Sequence, residues 1–341
     1  MNIEEKFNEF YDKFLIENKE NFNKIETQRK NAIHERKRSK LIIFIAEIII
    51  FIVAIITMIT STIINIEYKE AIDALGIFTL NFTWIVPMII VLINNKKLKE
   101  YDRQVKDFII KPLISSFCPN LEYSPYGTIT YDEFKNNNLE HCNSFYSSNL
   151  IKGNYNSNEI IIAKVITEYS YFDYTSSSTS NEYGNYETFD GLFAKINFEK
   201  IFNSEIYIKR KKNVRKKMFN TFIGDINQIS KSNIEEKNLN KNYFELKIDE
   251  LDNVFNIYTS NIDNAKNILN SEINKILLDI YNINQFEIAI KENSIYINFW
   301  ISGLFSAPSL KKETYDKEII YKNYKMLYLI FYLMLKLEEK L

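Results

Sequence analysis

The chain has 341 residues, with 43 Lys and Arg against 44 Asp and Glu and a formal net charge of -1. Such a balance lacks the cationic excess that phosphate contact requires, which argues against bulk nucleic-acid binding, so no nucleic acid is expected as a partner. Two cysteines, Cys118 and Cys142, are too few for a disulfide framework, and the length allows about two domains.

Residues 1–40 are expected to form an N-terminal cytosolic helix. Ile3, Phe7, Phe10 and Phe14, then Phe22 and Ile25, recur at helical spacing within a polar background over 3–38. Unbroken, that helix would run about 50 Å. It reads either as a stalk pairing with another helix or subunit, or as an amphipathic helix lying on its own cytosolic domain.

Residues 41–64, LIIFIAEIIIFIVAIITMITSTII, hold one ionisable group, Glu47. At 1.5 Å per residue the run is roughly 36 Å long, enough for a hydrocarbon core of about 30 Å with some tilt. Residues 76–93, GIFTLNFTWIVPMIIVLI, carry no charge and at about 27 Å just span. Together they read as a transmembrane helical hairpin with an external loop at 65–75. A cleavable signal peptide is the rival for the first run, but forty residues precede it and no small-x-small site follows. A buried hairpin of a soluble core is the other alternative, disfavoured by the length of both runs.

Flanking charge gives the orientation. Arg36, Lys37, Arg38 and Lys40 precede the first run, Lys96, Lys97, Lys99, Arg103 and Lys106 follow the second, and the loop between has Lys69 as its one base. The positive-inside rule then puts both termini in the cytoplasm, as for a multi-pass protein of a bacterial inner membrane, with the lipid bilayer as its first partner.

Glu47 sits about 10 Å inside the cytosolic end of its helix, where an isolated charge is costly. In an antiparallel hairpin its depth matches Pro87, whose ring frees the Thr83 carbonyl to accept from a protonated Glu47. The functional reading is a proton-linked or oligomer-specifying intramembrane group; the alternative is a carboxyl that is simply protonated or snorkels to the near interface.

Residues 94–117 continue as a cytosolic stalk helix, with Leu98, Tyr101, Val105 and Phe108 on one stripe and Pro112 limiting it. From 118 to 341 the pattern becomes that of a cytosolic α+β domain. Strands are expected at 128–131, 159–167, 187–197, 205–209, 254–258, 286–290 and 295–300, and helices at 262–281, started by Asn261 or Asp263, and at 315–341. Residues 168–188, rich in Ser, Thr, Asn and Tyr, read as a long connection between two strands, or else as an aromatic surface stacking on a ligand. The ten apolar residues 326–335 are too short to span and are expected to be buried in the domain, with an interfacial helix as the alternative.

Lys209, Arg210, Lys211, Lys212, Arg215, Lys216 and Lys217 place seven cations in nine positions. Beneath an anionic leaflet each adds about 1 kcal/mol of attraction, fading within a Debye length of about 8 Å, so contact with anionic lipid is the functional reading and a solvated loop the bland one.

Catalysis finds little support. His141 and Cys142 are adjacent, and neighbours on an extended chain point apart; with Cys118 they make at best a poor metal set. No glycine-rich phosphate loop, HExxH or CxxC is present, and Asp249, Glu250 and Asp252 read as solvated carboxylates on a turn. No catalytic residue, metal ligand or cofactor is expected.

The stretches KEYDRQVKDFIIKPLISSFCPNLEYSPYGTITYDEF, NLIKGNY, FDGLFAKINFEKIFNSEIYI, FNIYTSNIDNAKNILNSEINKIL and FEIAIKENSIYINF follow one another in an order that resembles an uncharacterised family of bacterial two-pass inner-membrane proteins with a cytosolic domain of unknown function. The most specific piece is GLFAKINFEKIF at 191–202, with its Gly-Leu-Phe before an apolar strand. The resemblance runs from about residue 99 to 305 and includes the hairpin. It implies a cytosolic domain on a membrane anchor, no assigned catalytic residues, and a LemA-like membrane protein as a partner in an envelope complex. The 168–188 insertion and the basic stretch after Tyr207 depart from the family pattern.

The reading that results is a non-enzymatic, membrane-anchored interaction or scaffold module, assembling with itself or with another envelope-associated protein. Its rivals are an enzyme at the membrane surface, which would need a deep cytosolic pocket, and an oligomeric channel or transport component with Glu47 lining a pore. An exposed apolar patch, expected at 300–305, would mark partner binding.

Overall fold

The computed structural model describes residues 3–63, 88–92, 95–140, 142–173, 182–211, 243–314 and 316–340. They form two compact units: Met1–Phe7 with Lys111–Phe305 and Tyr321–Leu341, and Asn8–Ile110 with Ser306–Ile320. The fold is α+β, a long N-terminal helix accompanied by a mixed domain built on an antiparallel sheet.

Helix α1, Ile3–Glu17, and α2, Lys19–Ile63, replace the single helix expected over 3–38. The break is at Asn18, whose side-chain amide at 3.0 Å and own N–H at 3.1 Å share the Phe14 carbonyl, a side-chain bond that competes locally with the helical ladder. Beyond it α2 runs without interruption from a polar half into the apolar run, with Leu41, Phe44, Ile45, Ile49, Phe51, Ile52 and Ile56 exposed. Among the described residues this is one helix long and apolar enough to cross a membrane, and none of its apolar window is buried. Of the second apolar run, 88–92 are helical and exposed; its other residues and the loop 65–75 lie outside the described residues.

Residues 95–105 are helical and pass through a π-turn, Lys106–Ile110, into α3, Lys111–Phe117. Pro112 therefore does not end the helical path. The wider turn directly before it changes the hydrogen-bond register where the ring would clash and the N–H is missing.

Nine strands form one antiparallel sheet among the described residues: β1 Leu121–Ser124, β2 Ser144–Tyr155, β3 Asn158–Asp173, β4 Glu182–Asn197, β5 Ile206–Arg210, β6 Phe244–Leu246, β7 Phe255–Thr259, β8 Phe286–Lys291 and β9 Ser294–Trp300. Their spatial order is β1-β2-β3-β4-β9-β8-β5-β7-β6. β2 and β3 join through Asn156 and Ser157, both at positive φ (47° and 71°), the two-residue turn whose twist suits a hairpin. The segment 168–188 is less loop than its composition implied. β3 and β4 stay paired out to Asp173 opposite Glu182, across one register shift between Thr167 and Glu168, and 174–181 lie outside the described residues.

Both faces of the sheet are covered, so its central strands are apolar at successive positions rather than at alternate ones; Ile288, Ala289 and Ile290 of β8 are all fully buried. One face packs Ala163, Phe193, Tyr207, Tyr258, Ala289 and Tyr296 under Phe134, Leu139 and Cys142. Phe134 comes from α4, Tyr131–Lys135, a short helix with a capping box in which Thr130 and Glu133 satisfy each other's backbone N–H groups. That box falls where the strand 128–131 was expected. On the other face lie α5, Ile262–Ile268, and α6, Ser271–Ile283, capped by Asn261 and Asn270, together with α7, Lys317–Glu338. The helix expected over 262–281 is thus two helices. Tyr281 meets Phe255 and Phe286, and Phe331 of α7 meets Tyr155 and Phe117. The apolar run 326–335 is buried there, with Leu327, Leu329, Ile330, Leu333 and Met334 all inaccessible.

The Gly-Leu-Phe motif has a physical reason. Gly191 pairs with Val165 on β3 and Trp300 on β9, and a Cβ there would clash with the Phe299 carbonyl oxygen and lie 2.7 Å from the Phe189 ring. Gly to Ala within a strand ordinarily gains about 0.5–1 kcal/mol; here overpacking reverses the sign. Gly191→Ala should lower the urea midpoint of the full chain in mild detergent by an amount equivalent to about 2 kcal/mol, read by far-ultraviolet circular dichroism.

Candidate functional site

Glu47 lies on the exposed apolar stretch of α2, itself exposed, between Phe44 and Phe51. Its expected counterparts Pro87 and Thr83 lie outside the described residues. The basic stretch divides. Lys209 and Arg210 close β5, Lys211 follows, and Lys212, Arg215, Lys216 and Lys217 lie outside the described residues. Lys211 donates to the Asp252 backbone carbonyl and to its carboxylate at 3.1 Å. The acidic turn at 249–252 is therefore tied into the fold, and Glu250 accepts from the Asn274 amide at 3.1 Å.

Arg210 turns inward. Its guanidinium lies 3.8 Å over the Trp300 ring, one N–H donates to Gln285 Oε1 at 2.8 Å, and Nε stands 3.7 Å from Glu287 Oε1. Glu287 is 1% exposed and also accepts the Arg210 backbone N–H at 3.3 Å. Next to it in register is Asn298, fully buried, which accepts from the Asn137 amide at 3.3 Å. Asn137 in turn accepts the Leu139 N–H at 2.7 Å and so shapes the loop after α4. This constellation joins β5, β8 and β9 to the covering loop by charge and hydrogen bonds. No single sequence motif marks it, because its members come from four separate segments.

The same face carries a second polar group. Tyr207 and Tyr243 both donate to Glu205 Oε2, at 3.0 and 2.8 Å, and burial pushes both phenols up from their ordinary range. Cys142 is buried, which raises its thiol, and Cys118 reaches the Asn154 carbonyl at 3.6 Å. Neither thiol is set up as a nucleophile. His141 lies outside the described residues, and among the described residues no group of three His, Cys, Asp or Glu converges on a metal position. The patch expected at 300–305 is not exposed: Leu304 and Phe305 are buried, and Trp300 is covered by Arg210.

In the unit containing α2 the strongest electrostatic feature is Glu26. Arg29 donates to it from Nε and Nη2 at 2.8 and 2.5 Å and to the Leu310 carbonyl at 2.5 Å; Thr314 donates to it from its N–H and hydroxyl at 3.2 and 3.1 Å. The Arg29 hydrogen bonds, opposed by burial and helped by Thr314, hold the Glu26 carboxyl at about 2. The loop 306–316 is thereby fastened to α2. One helical span nearer the apolar run, a cleft of about 330 Å³ opens between α2 and residues 97–101, bridged by Lys97 and Glu35 at 3.2 Å. A second hollow of about 450 Å³ lies over β1 and β2, beside Glu122 and Lys152.

Residues 187–339, from β4 through α7, match the family described as protein of unknown function DUF3137. Among curated proteins none matches. The chain is similar to the crystal structure of the mycobacterial trehalose monomycolate transport factor A, TtfA, at 8% sequence identity and a TM-score of 0.33, over 67% of this chain and 96% of that chain.

Two outcomes are expected. A double-mutant cycle with Arg210→Ala and Trp300→Ala should give a coupling of about 1–2 kcal/mol in urea unfolding, because the stacked cation is largely withdrawn from water. The depressed Glu26 carboxyl contributes stability that is fully present above its ordinary value of 4.5 and is lost as pH falls from there toward about 2. The hydrogen-exchange protection factors of residues 306–314 should accordingly fall in the wild type as pH is lowered from 4.5 toward 2. Glu26→Gln should abolish that dependence while costing roughly 3 kcal/mol at neutral pH, since Arg29 stays buried without its counter-charge.

Proposed function

We propose that the chain is anchored in a membrane through α2 and presents the α+β domain as a cytosolic interaction module. The observation that carries this reading is the apolar half of α2, which leaves Phe44, Ile48, Phe51, Ile55 and Ile59 exposed along one continuous helix. A contiguous apolar surface of that extent is not stable in water, while a helix satisfies its own backbone hydrogen bonds in hydrocarbon. The polybasic flank at Arg36, Lys37, Arg38 and Lys40 supports a cytoplasmic N-terminus, and the uncharged run at 76–93 supports a second crossing that returns the chain to the same side.

In this reading the membrane is a bacterial inner membrane, and the module assembles with itself or with a LemA-like membrane protein. Lys209, Lys212, Arg215, Lys216 and Lys217 are the cations we assign to the anionic leaflet, because Arg210 and Lys211 are committed to partners within the domain. Glu47 is assigned to a helix–helix contact within the membrane, where a carboxyl finds a hydrogen-bonding partner at lower cost than against lipid.

Membrane fractions washed with alkaline carbonate should retain the wild-type chain. The double variant Ile48→Lys with Ile52→Lys, at two charges each costing roughly 3 kcal/mol on insertion, should appear in the soluble or aggregated fraction. Cytoplasmic reporter activity from a carboxyl-terminal fusion is the expected companion result, and an exported reporter would overturn the orientation.

A further inference from the structure

The cleft between α2 and residues 97–101 is lined by Gln28, Asn31, Ala32, His34, Glu35, Lys97, Glu100 and Tyr101. Its volume, about 330 Å³, falls in the range of small-ligand sites. His34 and Glu35 precede the apolar run by about 10 Å of helix and Arg38 by about 5 Å, and the polar interface of a bilayer is roughly 5–8 Å deep, so the end of the cleft beside Arg38 opens at headgroup level and its far wall stands just outside.

Its chemistry is graded. Toward the bilayer the lining ends in Lys97 and Glu35, and Arg36, Lys37, Arg38 and Lys40 follow next along α2. Lys97 bonds Glu35 at 3.2 Å, and Arg38 and His34 lie close enough to act on the Glu35 charge. Away from the bilayer the wall is made of Gln28, Asn31, Glu100 and Tyr101, and Glu100 is held in place by Arg103 at 2.7 Å and Gln104 at 2.9 Å. Cations at the mouth suit a phosphate; fixed amides and carboxylates behind them suit hydroxyl groups, which both donate and accept.

We propose that this cleft seats the headgroup of an anionic phospholipid bearing hydroxyl groups, its phosphate on Lys97, Arg38 and His34 and its hydroxyls on the amide and carboxylate wall. The proposal rests on the membrane-anchored reading. A general attraction to an anionic leaflet would not distinguish headgroups of equal charge; this cleft does.

The test uses the full chain in lipid nanodiscs of phosphatidylcholine doped with either phosphatidylglycerol or phosphatidylmethanol, two singly charged anionic phosphodiesters of which the second has no headgroup hydroxyl, followed by native mass spectrometry of retained lipid. Phosphatidylglycerol should be retained about tenfold over phosphatidylmethanol, the yield of one well-placed set of polar contacts. Ala32→Phe, which fills the cleft without altering charge, and Asn31→Leu, at an exposed position, should both bring retention down to the phosphatidylmethanol level. Equal retention of the two lipids by the wild type, or undiminished selectivity in both variants, would overturn the proposal. Displacement by free glycerol 3-phosphate would reassign the site to a soluble phosphate and overturn the lipid source. A chain that inserts without selectivity sinks the cleft alone, whereas a chain that fails to enter the nanodisc sinks the anchor.

Discussion

The longest helix, α2, runs from Lys19 to Ile63 without a break, apolar enough in its second half to cross a membrane and satisfying its own backbone hydrogen bonds throughout. Its continuity makes the polar half as informative as the apolar half. Residues of the polar half are placed at fixed heights along the same axis as the apolar half, about 1.5 Å apart per residue. Glu26 with Arg29 fastens the loop 306–316 at one height, the Lys97–Glu35 bridge ties the facing helix at another, and the cleft lies next to that bridge. At Asn18, just before the helix starts, side chain and backbone share one carbonyl acceptor.

The α+β unit answers a different problem. A nine-stranded sheet covered on both faces buries its polar groups as well as its apolar ones, and each buried polar group needs a partner to offset its desolvation. Arg210 solves this with Trp300, Gln285 and Glu287 together, and the two tyrosines on Glu205 solve it with a shared acceptor oxygen. The charges that look most available in the linear chain are thus partly spent on holding β5 against its neighbours. Gly191 expresses the same tightness in the backbone, since β4 approaches β9 so closely that no side chain fits there.

Much of this fold was legible in local pattern. Strands β3, β4, β5, β7, β8 and β9 announced themselves through runs of Ile, Val, Phe and Tyr, because buried central strands are apolar at nearly every position. β2, reading SFYSSNLIKGNY, is polar and half-exposed near the edge of the sheet and gave no such signal. The capping box Thr130-Tyr131-Asp132-Glu133 was a usable helix start, overridden by the β-branched residues before it. The serine-rich 168–188 segment became strand at both ends because cross-strand pairing with its own hairpin partner outweighs weak local propensity.

By itself the sequence determined the apolarity of the second half of α2, the α+β character of the rest and the charge asymmetry around 41–64, since these follow from composition and period along the chain. Tertiary structure alone decided which charges remain available. Arg210 lies over an indole ninety residues away in the sequence, Lys211 against Asp252 and Glu26 against Thr314, and pairings of that separation leave no periodic trace. The physical reason is that burial and counter-charge are set by what folds across from a residue, and a linear pattern carries only its neighbours.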